Sequence, residues 1–195
     1  PCDTWRNAMK NTIFTGMATA IVTPMHTDGS IDYEALSRFV EFQIGSGING
    51  LVVMGTTGEN ATIEPEDQKK VIAYTVEKVA GRVPVIAGTG TNNTEHVLHN
   101  TRNACQVGAD AILVVTPYYN KATQNGLITH FTAVADESTL PVILYNVPGR
   151  TGCNLLPKTV AKLSEHPNIA AIKEATGSLA QMIEIMHLCG DKIDV

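Results

Sequence analysis

Charge is scarce in this chain. Only 17% of its 195 residues are Asp, Glu, Lys or Arg, against 44% hydrophobic, and the net charge is −5. That balance excludes a disordered chain and suits one soluble domain with a large core. The fourteen Lys and Arg are scattered, so there is no basic stripe for a nucleic-acid backbone and no polybasic segment for a membrane. No apolar run approaches the roughly 18 residues that span a bilayer. The N-terminal PCDTWRNAMKN lacks the apolar stretch of a signal peptide. These absences point to a cytoplasmic protein, although a transit peptide removed before Pro1 would leave no trace. Paired cysteines are missing too. Cys2, Cys105, Cys153 and Cys189 lie far apart with no C-x-x-C, which indicates free thiols in a reducing compartment and argues against structural zinc. The six histidines assemble no metal site by spacing, and His96 with His99, at i,i+3 on a helical stretch, is the ordinary state of two exposed helical histidines. The one glycine-rich strand ending, GTGTNN at 88–93, has G-x-G but lacks the third glycine of a dinucleotide fingerprint.

What the chain does have is alternation. Short β-branched runs at 18–23, 50–55, 83–88, 110–117, 141–148 and 168–175 are each followed by an amphipathic stretch, at 32–44, 62–79, 94–106, 126–136, 157–164 and 179–188. The second helix carries a cap-like Thr62-x-x-Pro65 at its start. The strands are continuously apolar, which indicates burial on both faces of a parallel sheet covered by helices. Six βα units at a spacing of about 30 residues fit a (β/α)8 barrel or a doubly wound open sheet, and the weak nucleotide fingerprint favours the barrel. Eight units normally take ~250 residues, and here DKIDV ends the chain where a seventh strand would begin. The expected fold is therefore a (β/α)8 barrel truncated after about six βα units: an N-terminal extension over 1–13, then a partial barrel over 14–195.

In a barrel the chemistry lies at the C-terminal strand ends and in the loops that follow. Those positions are GTTGEN at 55–60, TPYYNK at 116–121, YNVPGRTG at 145–152 and Lys173. The plain reading of Lys173 is a strand-end lysine that snorkels to solvent or pairs with Glu174. Desolvated, with a second cation such as Arg150 nearby, its pKa would fall and its free amine could attack a carbonyl. Tyr145 serves either as a core aromatic or as a phenol beside that amine, able to shuttle the protons of carbinolamine formation and dehydration. Thr56 and Thr57 either make a turn between Gly55 and Gly58 or hold a carboxylate with their N–H and hydroxyl groups. Arg150 is either a solvated loop charge or a bidentate clamp for a substrate carboxylate. The default role of Tyr118 and Tyr119 is packing, across a subunit interface for example.

Taken together and in order, GTTGE, TPYYN, YNVPGRTG and IKEATG closely resemble the dihydrodipicolinate synthase family, from about Phe14 to Val195. The resemblance implies a (β/α)8 barrel and a class I aldolase mechanism. The substrates would be pyruvate and aspartate-4-semialdehyde, in lysine and diaminopimelate synthesis. It also implies that Lys173 forms a Schiff base with pyruvate, that Tyr145 relays protons, and that Thr57 bridges Tyr145 to Tyr119, the last contributed by a neighbouring subunit. Thr56 and Thr57 would bind the pyruvate carboxylate, and Arg150 that of the semialdehyde. No cofactor or metal is implied, since the imine is itself the electron sink. A homo-oligomer, a dimer of dimers, follows from the same resemblance. The family's allosteric lysine site would fall near Asn60, Ala61, Asn92, His96 and Tyr118. His96 stands where lysine-sensitive members commonly place a glutamate, so weak or absent lysine inhibition is expected. Two rivals remain open: N-acetylneuraminate lyase or a related keto-acid aldolase, against which Arg150 argues, and a non-catalytic barrel acting as a scaffold.

Overall fold

A computed structural model of the protein describes residues 10–195. Six strands form one parallel sheet in sequence order: β1 (Ala18–Ala20), β2 (Gly50–Val53), β3 (Val85–Gly88), β4 (Ala111–Val115), β5 (Val142–Asn146) and β6 (Ile169–Glu174). Between and after them run α1 (Tyr33–Gly45), α2 (Pro65–Val79), α3 (Thr94–Gln106), α4 (Gln124–Glu137), the short α5 (Pro148–Thr151), α6 (Pro157–Leu163) and α7 (Leu179–Cys189). Sequential order with every neighbour parallel is barrel topology, and it rejects a doubly wound sheet, whose strand order must reverse. Beyond β6 the next pairing has begun: the Ile172 N–H donates to the Asp194 carbonyl at 2.8 Å, and the Asp194 N–H to Ala170 at 3.0 Å. That is where the sequence places a seventh strand. Of the expected 1–13 extension, residues 1–9 lie outside the described residues, while Ile13 packs with Phe14 against the sheet.

The strands are apolar throughout because both faces are covered. Leu51, Val53, Val85, Ala87, Ile112, Val114, Val142 and Leu144 belong to the core under the helices. Their alternate neighbours Val52, Ile86, Leu113 and Ile143 form a second cluster on the inner face. Period two thus puts every other residue inside the barrel. Helix starts follow side-chain caps: Asp32, Asn93, Thr123 and Ser178 each accept a hydrogen bond from the first turn. Thr123 starts α4 at Gln124, two residues before the expected position. The expected Thr62 cap is corrected. Glu64 occupies the cap position without a side-chain bond and Pro65 follows it, while the Thr62 hydroxyl donates to the Glu59 carbonyl in a preceding 3-10 turn.

One buried polar side chain in the helical layer has a measurable consequence. His130 on α4 is 5% exposed, its Nδ1 lies 2.9 Å from the Thr94 hydroxyl, and its Nε2 is buried with no partner among the described residues. A second proton on the ring would leave either nitrogen a donor, and Nε2 has no acceptor. Burial accordingly pushes the His130 pKa down to about 4. The unfolded histidine titrates near 6.5, so it takes up its proton first as pH falls. The contribution is complete above about pH 6.5 and is lost as pH drops toward 4, at about 1.4 kcal/mol per pH unit, roughly 3 kcal/mol in all. Urea unfolding of wild type and His130→Leu at pH 7 and pH 4 checks this: the variant should lose ~3 kcal/mol less than wild type between the two.

Candidate active site

Two strand ends meet to form the centre of the site. Tyr145 on β5 pairs with Lys173 on β6, and Lys173 Nζ lies 4.4 Å from the centre of the Tyr145 ring. Alternation carries Tyr145 inward two residues after Ile143. Lys173 gets inside by a different route. The β5–β6 register shifts between Val142 and Ile143, so that Val142 pairs with Ile169 but Ile143 pairs with Ala171. Ala170 is the extra residue of this bulge, and it turns Ala171 and Lys173 from the helical face, where Ile169 packs, to the inner face. Strict alternation from Ile169 would have sent Lys173 under the helices.

After β2 the chain makes a 3-10 turn over Thr56–Gly58, with Gly58 N–H donating to the Gly55 carbonyl at 2.9 Å. The Thr23 hydroxyl donates to the Gly58 carbonyl at 2.7 Å and ties the turn to β1. The leading N–H groups of such a turn have no partner inside it and are free for a ligand oxygen. Thr56, Thr57, Tyr145 and Lys173 line one cavity, with Asn60, Gly88, Gly90 and Val115 among its other walls. The sequence reading missed Gly90 and Val115 as walls. Asn60, expected both in the strand-end segment at 55–60 and in the regulatory site, lines this cavity and the neighbouring cleft, as does Gly90. The G-x-G after β3 was the available signal.

Burial lowers the Lys173 pKa from the ordinary lysine value, the direction that leaves a larger share of free amine at a given pH. The expected desolvation of Lys173 is therefore the cause of the shift, and one expectation about it needs correction: Arg150 has no part in the shift, and it does not border the Lys173 cavity. Its neighbour Glu174 turns to the other face and bonds Asn146 and Gln181.

Arg150, on α5, lies in a separate cleft with Tyr118, Tyr119 and Lys121. Tyr119 is 87% exposed with a left-handed backbone (φ 72°), and its N–H donates to the Thr151 carbonyl at 2.9 Å. Of the expected Thr57–Tyr145–Tyr119 set, Thr57 and Tyr145 share a cavity within one chain, and Tyr119, expected from a neighbouring subunit, lines the cleft of Arg150. Asn60, Ala61, Asn92, His96 and Tyr118 do come together, lining one cleft with His99, Asn100 and Glu64. Cys105, Cys153 and Cys189 are free thiols, Cys2 lies outside the described residues, and no described helix is long and apolar enough to cross a membrane.

Parallel strands in sequential order, with an amine, a phenol and two hydroxyls gathered at their C-terminal ends, define a protein of the (β/α)8-barrel class. The profile of the dihydrodipicolinate synthetase family matches residues 13–195, and the chain belongs to that family. It is 58% identical over 183 residues to 4-hydroxy-tetrahydrodipicolinate synthase of Geotalea uraniireducens, covering 94% of this chain and 63% of the relative. Among solved structures it resembles the chloride-inhibited dihydrodipicolinate synthase of Acinetobacter baumannii complexed with pyruvate, at 46% identity and a TM-score of 0.90 over 93% of this chain and 62% of that one. The lysine-bound enzyme of Cyanidioschyzon merolae gives 39% identity and a TM-score of 0.88, over 91% and 61%. The chain thus spans about 63% of the length of the curated relatives it matches.

Proposed function

We propose that this chain carries the imine-forming centre of a 4-hydroxy-tetrahydrodipicolinate synthase, a lyase of the class I aldolase type that joins pyruvate to aspartate-4-semialdehyde. The observation that carries the reading is the contact of the Lys173 amine with the Tyr145 ring at 4.4 Å, in a cavity shared with Thr56 and Thr57. Free Nζ attacks the C2 carbonyl of pyruvate to give a carbinolamine, and loss of water gives the imine. Removal of a methyl proton then yields an enamine, whose carbon bonds to the aldehyde carbon of the semialdehyde. The amino group of the semialdehyde portion then attacks the imine carbon, closing the six-membered ring as the new C=N bond forms and the Lys173 amine leaves. The Tyr145 phenol passes protons to and from the hydroxyl that leaves. Thr56 and Thr57 take the pyruvate carboxylate on their hydroxyls and leading N–H groups, and no cofactor is required.

Arg150 is the clamp for the carboxylate of the aldehyde, which supports this acceptor over the neutral polyol of a sugar-acid lyase. The exposure of Tyr119 suits a residue that completes the Thr57–Tyr145 relay in a neighbouring copy, which supports a homo-oligomer; the working form we propose is a cytoplasmic dimer of dimers. Borohydride added with pyruvate tests the central claim: a stable mass increment is expected on the peptide holding Lys173, and its absence would refute the reading in favour of a scaffold. The labelling rate should rise with pH through a midpoint below that of an ordinary lysine, because only the free amine attacks.

Regulation gives a second expectation. His96 offers no fixed negative charge to a lysine ammonium, and the carboxylate among the residues lining the Asn60–Tyr118 cleft is Glu64 alone, so lysine binding should be weak, with half-saturation above about 1 mM, equivalent to roughly −4 kcal/mol. Calorimetry on wild type and His96→Glu checks it, with tighter binding expected only in the variant. Wild-type saturation at micromolar lysine would contradict it.

A further inference from the structure

Directly behind the amine and the phenol, on the opposite face of the same two strands, lies a set of side chains that the reaction does not use. Asn146 follows Tyr145, Glu174 follows Lys173, and the two pair in register. Asn146 is fully buried, and every polar atom of its side chain is engaged. Nδ2 lies 2.9 Å from Asn154 Oδ1, 3.0 Å from Glu174 Oε2 and 3.3 Å from the Leu155 carbonyl, while Oδ1 accepts from the Leu155 N–H at 2.9 Å. Two amide hydrogens face three acceptors, so the shortest two contacts hold them. The Glu174 carboxylate accepts in addition from the Thr176 N–H at 2.8 Å and from Gln181 Nε2 at 3.2 Å. Gln181 also exchanges bonds with Asn154, at 3.0 and 3.1 Å. The ends of β5 and β6, the loop at 153–156 and the first turn of α7 are thereby joined by a few groups.

Elsewhere on this face the strands bury Leu144 and Ile172. An apolar pair at 146 and 174 would fill the same space without desolvating an amide and a carboxylate. Buried polar networks of this kind gain little net stability, and their best attested role is to select one arrangement over near alternatives. The competing arrangement is local. Lys173 faces inward only because of the bulge at Ala170, and a strand that has slipped once can slip back, carrying Lys173 to the outer face.

We infer that Asn146 and Glu174 are positioning residues, whose mutual hydrogen bond locks the end of β6 against β5 in the one register that aims Lys173 at Tyr145. The inference rests on the reading of Lys173 as the imine-forming amine, and it is separable from it. A displacement of about 1 Å at a reacting group is enough to cost about a hundredfold in rate.

The test uses the full chain, with borohydride trapping of pyruvate on Lys173 and a melting curve for each variant. Asn146→Asp sets two carboxylates face to face, and adding Glu174→Gln to it restores a donor–acceptor pair of reversed polarity. Trapping at saturating pyruvate should fall about tenfold or more in Asn146→Asp and recover most of the loss in the double variant, with half-saturating pyruvate held within about twofold. A merely structural role would lower the melting temperature and leave the saturating rate of the folded protein alone. Equal rates in wild type and folded Asn146→Asp overturn the inference. Should Asn146→Asp not fold, Glu174→Ala against Glu174→Gln makes the same comparison, and equal rates again overturn it. If wild type itself fails to trap pyruvate, the proposed function falls. The pH midpoint of Lys173 reductive methylation then decides: a midpoint raised toward ordinary lysine in the variants supports the lock, and an unmoved one overturns it.

Discussion

Tyr145→Phe should slow the capture of pyruvate by Lys173 about 10²- to 10³-fold without abolishing it, whereas Lys173→Ala should leave no label at all. The two variants separate two contributions of one contact. Phenylalanine keeps the ring whose centre lies 4.4 Å from Nζ, so the packing that lowers the Lys173 pKa persists. What disappears is the hydroxyl that gives its proton to the carbonyl oxygen as the amine adds, takes one back from the new ammonium, and gives one again as water leaves. The loss should therefore appear in the rate at saturating pyruvate, with the half-saturating concentration little changed, because the proposed function gives the carboxylate to Thr56 and Thr57, which line the same cavity and are untouched by the substitution. Single-turnover trapping with borohydride, followed by mass spectrometry of the Lys173 peptide, reads both quantities. A Tyr145→Phe rate within about threefold of wild type would remove the phenol from the mechanism.

The same contact marks the boundary of what the sequence makes legible. Continuous apolar runs bounded by Gly, Pro, Asn and Thr located all six strands, since a strand buried on both faces has no reason to alternate. Knowing the strand ends was then enough to identify Thr56, Thr57, Tyr145 and Lys173 as neighbours, as they line one cavity. Which face Lys173 takes could not be read. Nothing within IAAIKE distinguishes Ala170 from Ala171, and the extra residue is defined only by its pairing with β5. Arg150 was expected near Lys173 but falls in a cleft with Tyr118 and Tyr119, because α5 fixes a direction that a strand-end rule does not contain. The outer network escaped notice for a related reason: Asn146 and Glu174 are 28 residues apart in the chain, and each resembles a turn residue until the strands are aligned.

Gly88→Ala should lose about 3 kcal/mol of folding stability or more, the upper range for an added methyl group that meets backbone. Gly88 ends β3 against the start of the turn at Thr56–Gly58, and a methyl group there would lie 2.7 Å from the Met54 carbonyl carbon and 2.8 Å from Gly55 Cα, with the Met54 carbonyl oxygen closer still. These atoms cannot rotate away as a side chain could. Met54 is itself committed, since its backbone is left-handed (φ 55°) and its side chain is fully buried, so relief would have to come from moving β2 or β3. Gly55 is the control. A methyl group at Gly55 would meet nothing nearer than Val52 Cγ1 at 3.6 Å, and its backbone (φ −77°, ψ −175°) is open to alanine. Gly55→Ala should therefore be neutral or gain about 0.5 kcal/mol by restricting the unfolded chain. Urea midpoints of the two variants at constant m decide the matter, and a Gly88→Ala value within about 1 kcal/mol of wild type would mean that the strand ends give way more easily than their packing implies. The close approach at Gly88 also sets the turn that carries Thr56 and Thr57. Gly88→Ala protein kept below its melting point should accordingly need more pyruvate for half-maximal trapping at Lys173, while Gly55→Ala should match wild type.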